Sequence, residues 1–165
     1  MDRSLEIISI VEKNPGIKFR EIMRETGLKN GVTSYHTRKL EENGSVRVDR
    51  KSGETRFYPL CVTDDESNLI TSLRRDTQRQ ILLSLLDGKS LSFSEIVKKV
   101  RKSPSTVSVF LGKLVDDKIV EIKKIELKKV YLLRNVDMVN EIIQKYNPLL
   151  FERTAYNFAD TFSNL

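Results

Sequence analysis

The fold is decided by residues 31–46, Gly31-Val32-Thr33-Ser34-Tyr35-His36-Thr37-Arg38-Lys39-Leu40-Glu41-Glu42-Asn43-Gly44-Ser45-Val46. The first part of this stretch predicts a helix, and Asn43-Gly44 ends it because glycine adopts the left-handed conformation at a helix C-terminus. After residue 45, the spacing of apolar residues changes from that of a helix to alternation. Residues 46–50 alternate apolar and polar side chains, as does part of residues 55–58, with a turn between them at residues 51–54. This pattern predicts a β-hairpin.

Two further helices precede this stretch. Ile7, Ile8 and Val11 have the spacing of one helix face, and Asn14-Pro15-Gly16 ends that helix. Residues 19–26 form a second amphipathic segment that stops at Gly27. Three helices followed by a hairpin are the order of a winged helix, in which helices two and three form a helix-turn-helix.

The same unit recurs 74 residues later. Residues 105–120 overlay on residues 31–46 without a gap. The overlay aligns Ile7 with Ile81, Phe19 with Phe93, Glu21-Ile22 with Glu95-Ile96, Ser34 with Ser108, Lys39-Leu40 with Lys113-Leu114 and Val46 with Val120. A fixed offset over successive segments indicates one structural unit used twice. We therefore expect an α+β, mainly α chain with two tandem winged helix-turn-helix domains and C-terminal helices.

The second unit has its own helix signals. Ser92 and Glu95 have the spacing of a capping box, and Ser103 or Ser105 can cap the third helix. Val107, Leu111 and Leu114 form the apolar stripe of that helix. Residues 119–123 and 129–133 are the expected strands of the second hairpin.

The remaining segments predict a linker and a tail. We expect a first winged helix at residues 1–62, a helical linker at 63–75, a second winged helix at 76–134 and C-terminal helices at 135–165. The tail carries an apolar stripe at Val136, Val139, Ile142, Ile143 and Tyr146, and a second apolar face between Leu149 and Phe162. These faces either fold back on the chain's own core or pair with a second copy. We favour a homodimer through residues 135–165.

Composition limits the class of protein. The chain has 165 residues, 39% apolar and 32% charged, which indicates a globular protein. No apolar run reaches the ~18–20 residues of a membrane span. We expect no signal peptide, since Met1-Asp2-Arg3 leads directly into an amphipathic segment. The lone Cys61 excludes an internal disulfide and a cysteine-cluster metal site. We expect a cytoplasmic protein without a cofactor.

The net charge of +6 is unevenly distributed. Residues 1–60 carry 12 Lys and Arg against 9 Asp and Glu, and residues 61–134 carry 15 against 10, whereas residues 135–165 carry 2 against 4. Two basic units with an acidic tail suggest a polyanionic partner. Charge alone does not separate this from a merely soluble basic protein.

Residues 31–46 resemble the recognition helix and the first wing strand of ArsR/MarR-like winged-helix regulators, and are especially similar to archaeal tandem winged-helix transcription regulators. Residues 105–114 resemble the same helix. The resemblance spans roughly residues 4–134 and implies sequence-specific binding to double-stranded DNA. The chain departs from the family pattern at Thr37, where leucine is usual, and in the neutral third helix of the second unit.

A recognition helix needs side chains that reach base edges, while Lys, Arg and helix N-termini hold phosphates. The third helix of the first unit offers Arg38 for guanine, and Asn30 for adenine or as a helix cap. Tyr35 is expected on DNA rather than inside. In the hairpin, Arg47 and Arg56 are expected to point away from the apolar face. The four basic hairpin residues are expected to contact phosphates, or alternatively to protect an edge strand. The candidates in the first unit are Lys29, Asn30, Ser34, Tyr35, Arg38, Arg47, Arg50, Lys51 and Arg56.

The second unit has lysines where the first has arginines, and lysine acts as a point charge for phosphate more than as a base reader. We therefore expect this unit to supply mainly salt-sensitive affinity. Its candidates are Lys102, Ser105, Thr106, Ser108, Lys123, Lys124, Lys128 and Lys129.

No catalytic constellation stands out in the sequence. His36 is the single histidine and is expected to pack against the wing or the first helix, since one histidine cannot form a metal site alone. The leading hypothesis is a DNA-binding transcription regulator. The alternative is a winged-helix protein-interaction subunit of a basal transcription or chromosome-organisation complex.

Overall fold

A computed structural model describes residues 2–146. The first unit contains helix α1 (Arg3–Lys13), strand β1 (Ile17–Lys18), α2 (Phe19–Thr26), α3 (Asn30–Glu42), β2 (Arg47–Asp49) and β3 (Arg56–Tyr58). Helix α4 (Asp64–Arg74) follows. The predicted order of three helices and a hairpin is confirmed.

The second unit repeats this order. It contains α5 (Asp76–Gly88), β4 (Ser90–Leu91), α6 (Phe93–Val100), α7 (Pro104–Asp116), β5 (Val120–Ile125) and β6 (Lys128–Leu133). A final helix, α8, occupies residues 136–146. Helices α6 and α7 begin and end 74 residues after α2 and α3, so the offset seen in the sequence holds at both ends of the helix-turn-helix.

Each unit has a three-stranded antiparallel sheet in which the last strand is central. The orders are β1-β3-β2 and β4-β6-β5. Ile17 pairs with Phe57 in the first sheet, and Leu91 pairs with Tyr131 in the second. The two-residue strands β1 and β4 were not predicted, because such a short segment has no alternation to detect.

The helix ends follow the predicted chemistry. Gly27 and Gly44 have φ of +69° and +74°, the left-handed conformation expected after α2 and α3. The Ser92 hydroxyl accepts a hydrogen bond from the Glu95 amide in a capping box, and Ser103, rather than Ser105, caps α7. These local signals fix where the helix-turn-helix elements begin and end.

The two cores share a boundary at β3. The first core contains Ile7, Val11, Ile17, Ile22, Leu40, Val46 and Phe57. The second contains the buried side chains of α5 to α8 together with Leu69, Ile70 and Leu73 of α4. Phe57 belongs to the first core, whereas Tyr58, the next residue on β3, belongs to the second. Alternate side chains of one strand thus face both cores.

Helix α4 is a packed joint between the units. The Tyr58 hydroxyl donates to the Ser67 carbonyl oxygen at 3.2 Å and also bonds to Thr71. On the other side, Gly16 approaches α4 so closely that an added Cβ would lie 3.0 Å from Arg74 Cδ and 3.2 Å from Ile70 Cγ2. The segment between the units is therefore helical and in contact with both of them.

Helix α8 follows the second wing as α4 follows the first, so the repeat includes one helix more than the sequence overlay showed. Its side chains Val139, Ile142 and Tyr146 are buried in the chain's own core, while Val136 is exposed. The stripe in residues 136–146 is therefore used within the protomer. The predicted second apolar face, from Leu149 to Phe162, lies outside the described residues.

Candidate nucleic-acid interface

Helix α3 buries one face and exposes another. Thr33, Thr37 and Leu40 are buried, at the positions where α7 buries Val107, Leu111 and Leu114. The two threonine hydroxyls donate to the backbone carbonyl oxygens of Lys29 and Ser34, so their burial leaves no unpaired donor.

The opposite face of α3 projects into solvent. Tyr35 is 62% exposed, which agrees with the expectation that it does not pack inside, and Arg38 follows one turn later. Within residues 2–146, the Arg38 guanidinium has no hydrogen bond or ion pair. Lys29 and Asn30 are exposed at the start of the helix, where Lys29 is the N-cap residue and no side chain caps the helix. Asn30 is therefore not the cap.

His36 lies on a third side of α3. Its Nδ1 is 3.1 Å from the Ser4 hydroxyl on α1, which confirms the predicted packing against the first helix. Its ring meets the Tyr35 ring edge to face, with centroids 5.2 Å apart. His36 thus orients α3 and its exposed tyrosine.

The wing of the first unit, residues 47–58 (wing 1), differs from the prediction. Arg56 lies on the strand face opposite Phe57, as expected, but that face is covered by the protein and the residue is only 5% exposed, so it does not reach solvent. Its guanidinium donates to the Gly16 carbonyl oxygen at 2.8 Å and to Glu54 at 2.9 Å. Arg56 is therefore a structural residue that joins wing 1 to the turn before β1.

The other basic side chains of wing 1 are also engaged. Arg47 donates to the Val62 carbonyl oxygen at 2.9 Å and pairs with Asp64 at the start of α4. Arg50 forms a two-pronged pair with Glu41 at the end of α3, with distances of 2.6 and 2.7 Å. Lys51 is exposed and lies 3.7 Å from Asp49. Wing 1 is thus held to α3 and α4 by its own cations.

Glu54 is the centre of this network. Lys18, Arg56 and Arg75 lie 3.0, 2.9 and 3.2 Å from its carboxylate. Burial is the largest single influence and raises the pKa of Glu54. The hydrogen bonds and positive charges of the three partners together outweigh it and lower the pKa from 4.5 to about 2. The carboxylate is therefore ionised at every physiological pH.

The lowered pKa of Glu54 predicts an acid-sensitive joint. A carboxylate whose pKa is depressed on folding contributes stability above its unfolded pKa, and that stability is lost as pH falls through the folded value. We expect the network's contribution to decline between pH 4.5 and about 2. Urea unfolding of wild type and Glu54→Gln at pH 7, 4 and 3 checks this. The difference between the two proteins should shrink with falling pH, and a constant difference would contradict the prediction.

The wing of the second unit, residues 120–133 (wing 2), has the opposite character. Strands β5 and β6 are longer than predicted, and residues 122–129 are all exposed. Lys123 lies 3.6 Å from Glu121, and Lys129 lies over the Tyr131 ring. Lys124 and Lys128 have no ion pair in the described part of the chain. Wing 2 therefore offers available positive charge.

Helix α7 is a weaker candidate for base contacts. The hydroxyls of Ser105 and Thr106 lie 3.2 and 2.8 Å from the Ser103 hydroxyl, within the cap of the helix. Lys102 lies 3.7 Å from Asp76. Ser108 is exposed beside Val109, so the exposed middle of α7 is neutral, and its basic residue Lys113 lies in the last turn. Positions 35 and 38 of the first unit correspond to Val109 and Gly112 here.

Two arginines outside the predicted set are also free. Arg20 and Arg24 are exposed one turn apart on α2, and neither has an ion pair among the described residues. The first helix of a helix-turn-helix crosses the DNA backbone, so this position suits phosphate contacts. The i, i+4 arginine pair on the polar face of α2 was the signal available in the sequence.

Family comparisons agree with this geometry. Residues 1–70 match a family model described as HTH_HVO_0163_N, N-terminal HTH domain, and residues 75–121 match the model of bacterial regulatory protein, arsR family. The chain carries two winged helix-turn-helix domains. The resemblance to ArsR-type regulators is confirmed, and these matches support a DNA-binding transcription regulator. No curated protein matches the chain.

Similar solved structures cover about half of the chain. The transcriptional repressor PagR of Bacillus anthracis is 22% identical, with a TM-score of 0.43 over 48% of this chain and 90% of its own. HlyU from Vibrio cholerae N16961 is 25% identical, with a TM-score of 0.44 over 52% of this chain and 91% of its own. BigR from Xylella fastidiosa, a transcriptional repressor, is 22% identical, with a TM-score of 0.44 over 50% of this chain and 84% of its own.

Residues 2–146 contain no group of three or more His, Cys, Asp or Glu side chains placed to hold a metal ion. None of the helices in this part of the chain has the length and apolar character needed to cross a membrane.

Proposed function

We propose that this protein is a sequence-specific regulator of transcription that reads double-stranded DNA with α3 and holds the phosphate backbone with wing 2. The observation that supports it best is the exposed face of α3. Tyr35 and Arg38 project from a helix whose other faces are buried or bonded to α1, and Arg38 keeps its full donor set available. A helix-turn-helix presents its second helix to the major groove in this way.

The side chains on α3 match the chemistry of base edges. An arginine donates two parallel hydrogen bonds to O6 and N7 of guanine, and asparagine pairs in the same way with adenine. We propose that Arg38 and Asn30 read bases, that Ser34 and Tyr35 contact the bases or backbone beside them, and that Lys29 contacts a phosphate. Arg20 and Arg24 on α2 are further candidates for phosphate contacts.

Wing 2 supplies the second contact. Its exposed ribbon carries four lysines, Lys123, Lys124, Lys128 and Lys129. The arginines of wing 1, in contrast, are bonded to acceptors of the protein itself. We propose that the first domain, residues 1–62, reads sequence and that the second, residues 76–134, holds phosphates. The linker at residues 63–75 includes α4, which packs on both units, so it would fix the spacing of the two contacts and let them reinforce each other.

A mobility-shift assay on genomic DNA fragments over a salt series tests this proposal. Tight binding to a subset of fragments is expected, with affinity that falls steeply as salt rises. Binding without any preference among fragments would contradict sequence-specific reading, and no binding at all would overturn the proposed function.

The role of wing 2 gives a prediction of its own. Lys124→Ala should weaken binding to all duplexes about equally and reduce the slope of log K against log salt by about 1, because one phosphate contact is lost. Lys51→Ala, an exposed lysine of wing 1 already paired with Asp49, should leave the slope nearly unchanged. Equal effects of the two substitutions would contradict the assignment of phosphate contacts to wing 2.

The second candidate function, a winged-helix protein-interaction subunit, is favoured only by the neutral outer face of α7. Val109 is 58% exposed there and Gly112 has open space around it. The salt-series assay separates the two, because a protein-interaction subunit would show no preferred fragment. The homodimer through residues 135–165 stays a prediction, which sedimentation of the full chain would check.

A further inference from the structure

The tip of wing 2 places a large apolar side chain in water. Leu127 is 98% exposed, at the far end of the hairpin formed by β5 and β6. Its φ is +67°, and that of Glu126 before it is +50°. Both conformations are costly for residues with a Cβ, and hairpin turns of this type usually contain glycine or asparagine. Strained residues of this kind cluster where a protein contacts a ligand.

The ribbon that carries this tip repels itself. Lys124 and Lys129 are directly paired across the strands, and Lys123 and Lys128 lie beside them. Like charges opposite each other weaken an antiparallel pair. Glu121 is the one acidic neighbour within salt-bridge distance of these lysines in the described chain. A bound polyanion would reduce the repulsion among these lysines, whereas a second copy of the same ribbon would add to it.

Winged helices commonly lay the wing along the phosphate backbone or the minor groove. We propose that in this protein Leu127, at the tip of wing 2, acts there as an apolar wedge that opens a base step. The proposal rests on the proposed function, since it assigns a specific role to the wing that holds phosphates. Leucine is among the side chains that other minor-groove proteins insert between base pairs, where they unstack a step and bend the duplex. Here the four lysines would hold the phosphates that flank the wedge.

The dimensions of the ribbon allow this insertion. The last strongly buried positions of the hairpin are Val120 on β5 and Tyr131 on β6. Residues 122–127 lie beyond Val120, and at about 3.3 Å per residue the ribbon extends well past the minor-groove depth of about 7.5 Å. Only the tip has to enter the groove, while the paired lysines remain at the level of the backbone.

A wedge makes affinity depend on how easily the DNA deforms. Pyrimidine–purine steps such as TA unstack readily, whereas A-tracts are stiff. We therefore expect wild type to prefer a duplex with central TA steps over an A-tract duplex of the same base composition, roughly tenfold, which is the scale of such deformation differences. We also expect it to shorten the end-to-end distance of the TA duplex.

The test compares two glycine substitutions at the tip. Leu127→Gly and Glu126→Gly both relieve a positive φ, so neither should reduce folding stability. Only Leu127→Gly removes the wedge. The probes are two 30-base-pair duplexes with donor and acceptor dyes at their ends, one with central TA steps and one with a central A-tract. The measurements are affinity, energy transfer and displacement of a minor-groove dye.

The outcomes separate the wedge from the proposed function. Loss of the TA preference and of bending in Leu127→Gly, with both retained in Glu126→Gly, supports the wedge. If wild type binds the duplexes and Leu127→Gly keeps the same TA preference and bending, the wedge is overturned and the proposed function stays intact. A Leu127→Gly variant that changes only self-association in sedimentation also overturns it. Wild type that binds neither these probes nor any genomic fragment overturns the proposed function itself.

Discussion

Arg38→Ala is expected to weaken binding to a preferred duplex by about 1–3 kcal/mol, roughly 5- to 150-fold, and to relax specificity at one base pair. The Arg38 guanidinium would donate two hydrogen bonds to one guanine, and this pair distinguishes guanine from the other bases. Water in its place would not make that distinction. Binding to non-preferred DNA should fall much less, because that binding depends on the total phosphate contacts. Titration of both kinds of duplex at a fixed salt concentration measures the ratio.

The matched control is Lys113→Ala on α7. Lys113 occupies the position after Gly112, the residue that corresponds to Arg38, and its ammonium lies over the Phe110 ring. Both substitutions remove one positive charge from the third helix of a unit, so the contrast isolates base reading from charge. Arg38 is exposed, and its loss should change folding stability by less than about 0.5 kcal/mol. Equal losses on preferred and non-preferred DNA would contradict a base contact by Arg38.

The fold was predictable because its signals are local and occur twice. Gly27 and Gly44 mark helix ends through the conformation that they permit, and Ser103 with Pro104 marks the start of α7. The signals that recur at the fixed offset are buried apolar residues, such as Ile22 with Ile96 and Leu40 with Leu114. Strands β1 and β4 were missed because their pairing with β3 and β6 is a tertiary event, between residues about 40 apart in sequence.

The site was predictable only where exposure follows from helical period. The buried stripe at Thr33, Thr37 and Leu40 places Tyr35 and Arg38 on the opposite face. In wing 1 the alternation rule failed because it tells which face of a strand a residue occupies and not what covers that face. Helix α4 and the turn at Gly16 cover wing 1, and their acceptors bind Arg47 and Arg56.

The basic side chains of the two wings have different surroundings, whereas the sequence predicted phosphate contacts for both wings. The arginines of wing 1 bind carboxylates and carbonyl oxygens of the protein, since the planar guanidinium fits such partners, at a buried site for Arg56 and an exposed one for Arg50. The lysines of wing 2 remain in solvent, where a flexible ammonium suits phosphates. Wing 1 is bonded to α4 and to the turn at Gly16, a set of contacts called the clamp below, and wing 2 is a ribbon in solvent.

Arg56→Met tests the clamp and is expected to have the largest effect on stability. Arg56 is buried, and its guanidinium supplies a donor to the Gly16 carbonyl oxygen and two to Glu54. Methionine keeps much of the apolar volume, so the loss is chiefly that of the buried pair. Removing Arg56 leaves the buried Gly16 carbonyl oxygen without this donor and Glu54, which is half-buried, with only Lys18 and Arg75. We expect a cost of about 2–4 kcal/mol.

The matched control for this substitution is Arg50→Met in the same wing. Its pair with Glu41 is equally short but exposed, and such pairs contribute about 0–1 kcal/mol. Urea unfolding followed by circular dichroism should therefore show a large shift of the midpoint for Arg56→Met and a small one for Arg50→Met, with unchanged m-values. A normal midpoint in Arg56→Met together with weaker DNA binding would show that the arginine contacts phosphate after all. A guanidinium bonded to Gly16 and Glu54 cannot reach DNA without breaking those bonds. That result would therefore mean that the bonds do not stabilise the fold and that wing 1 belongs to the DNA interface.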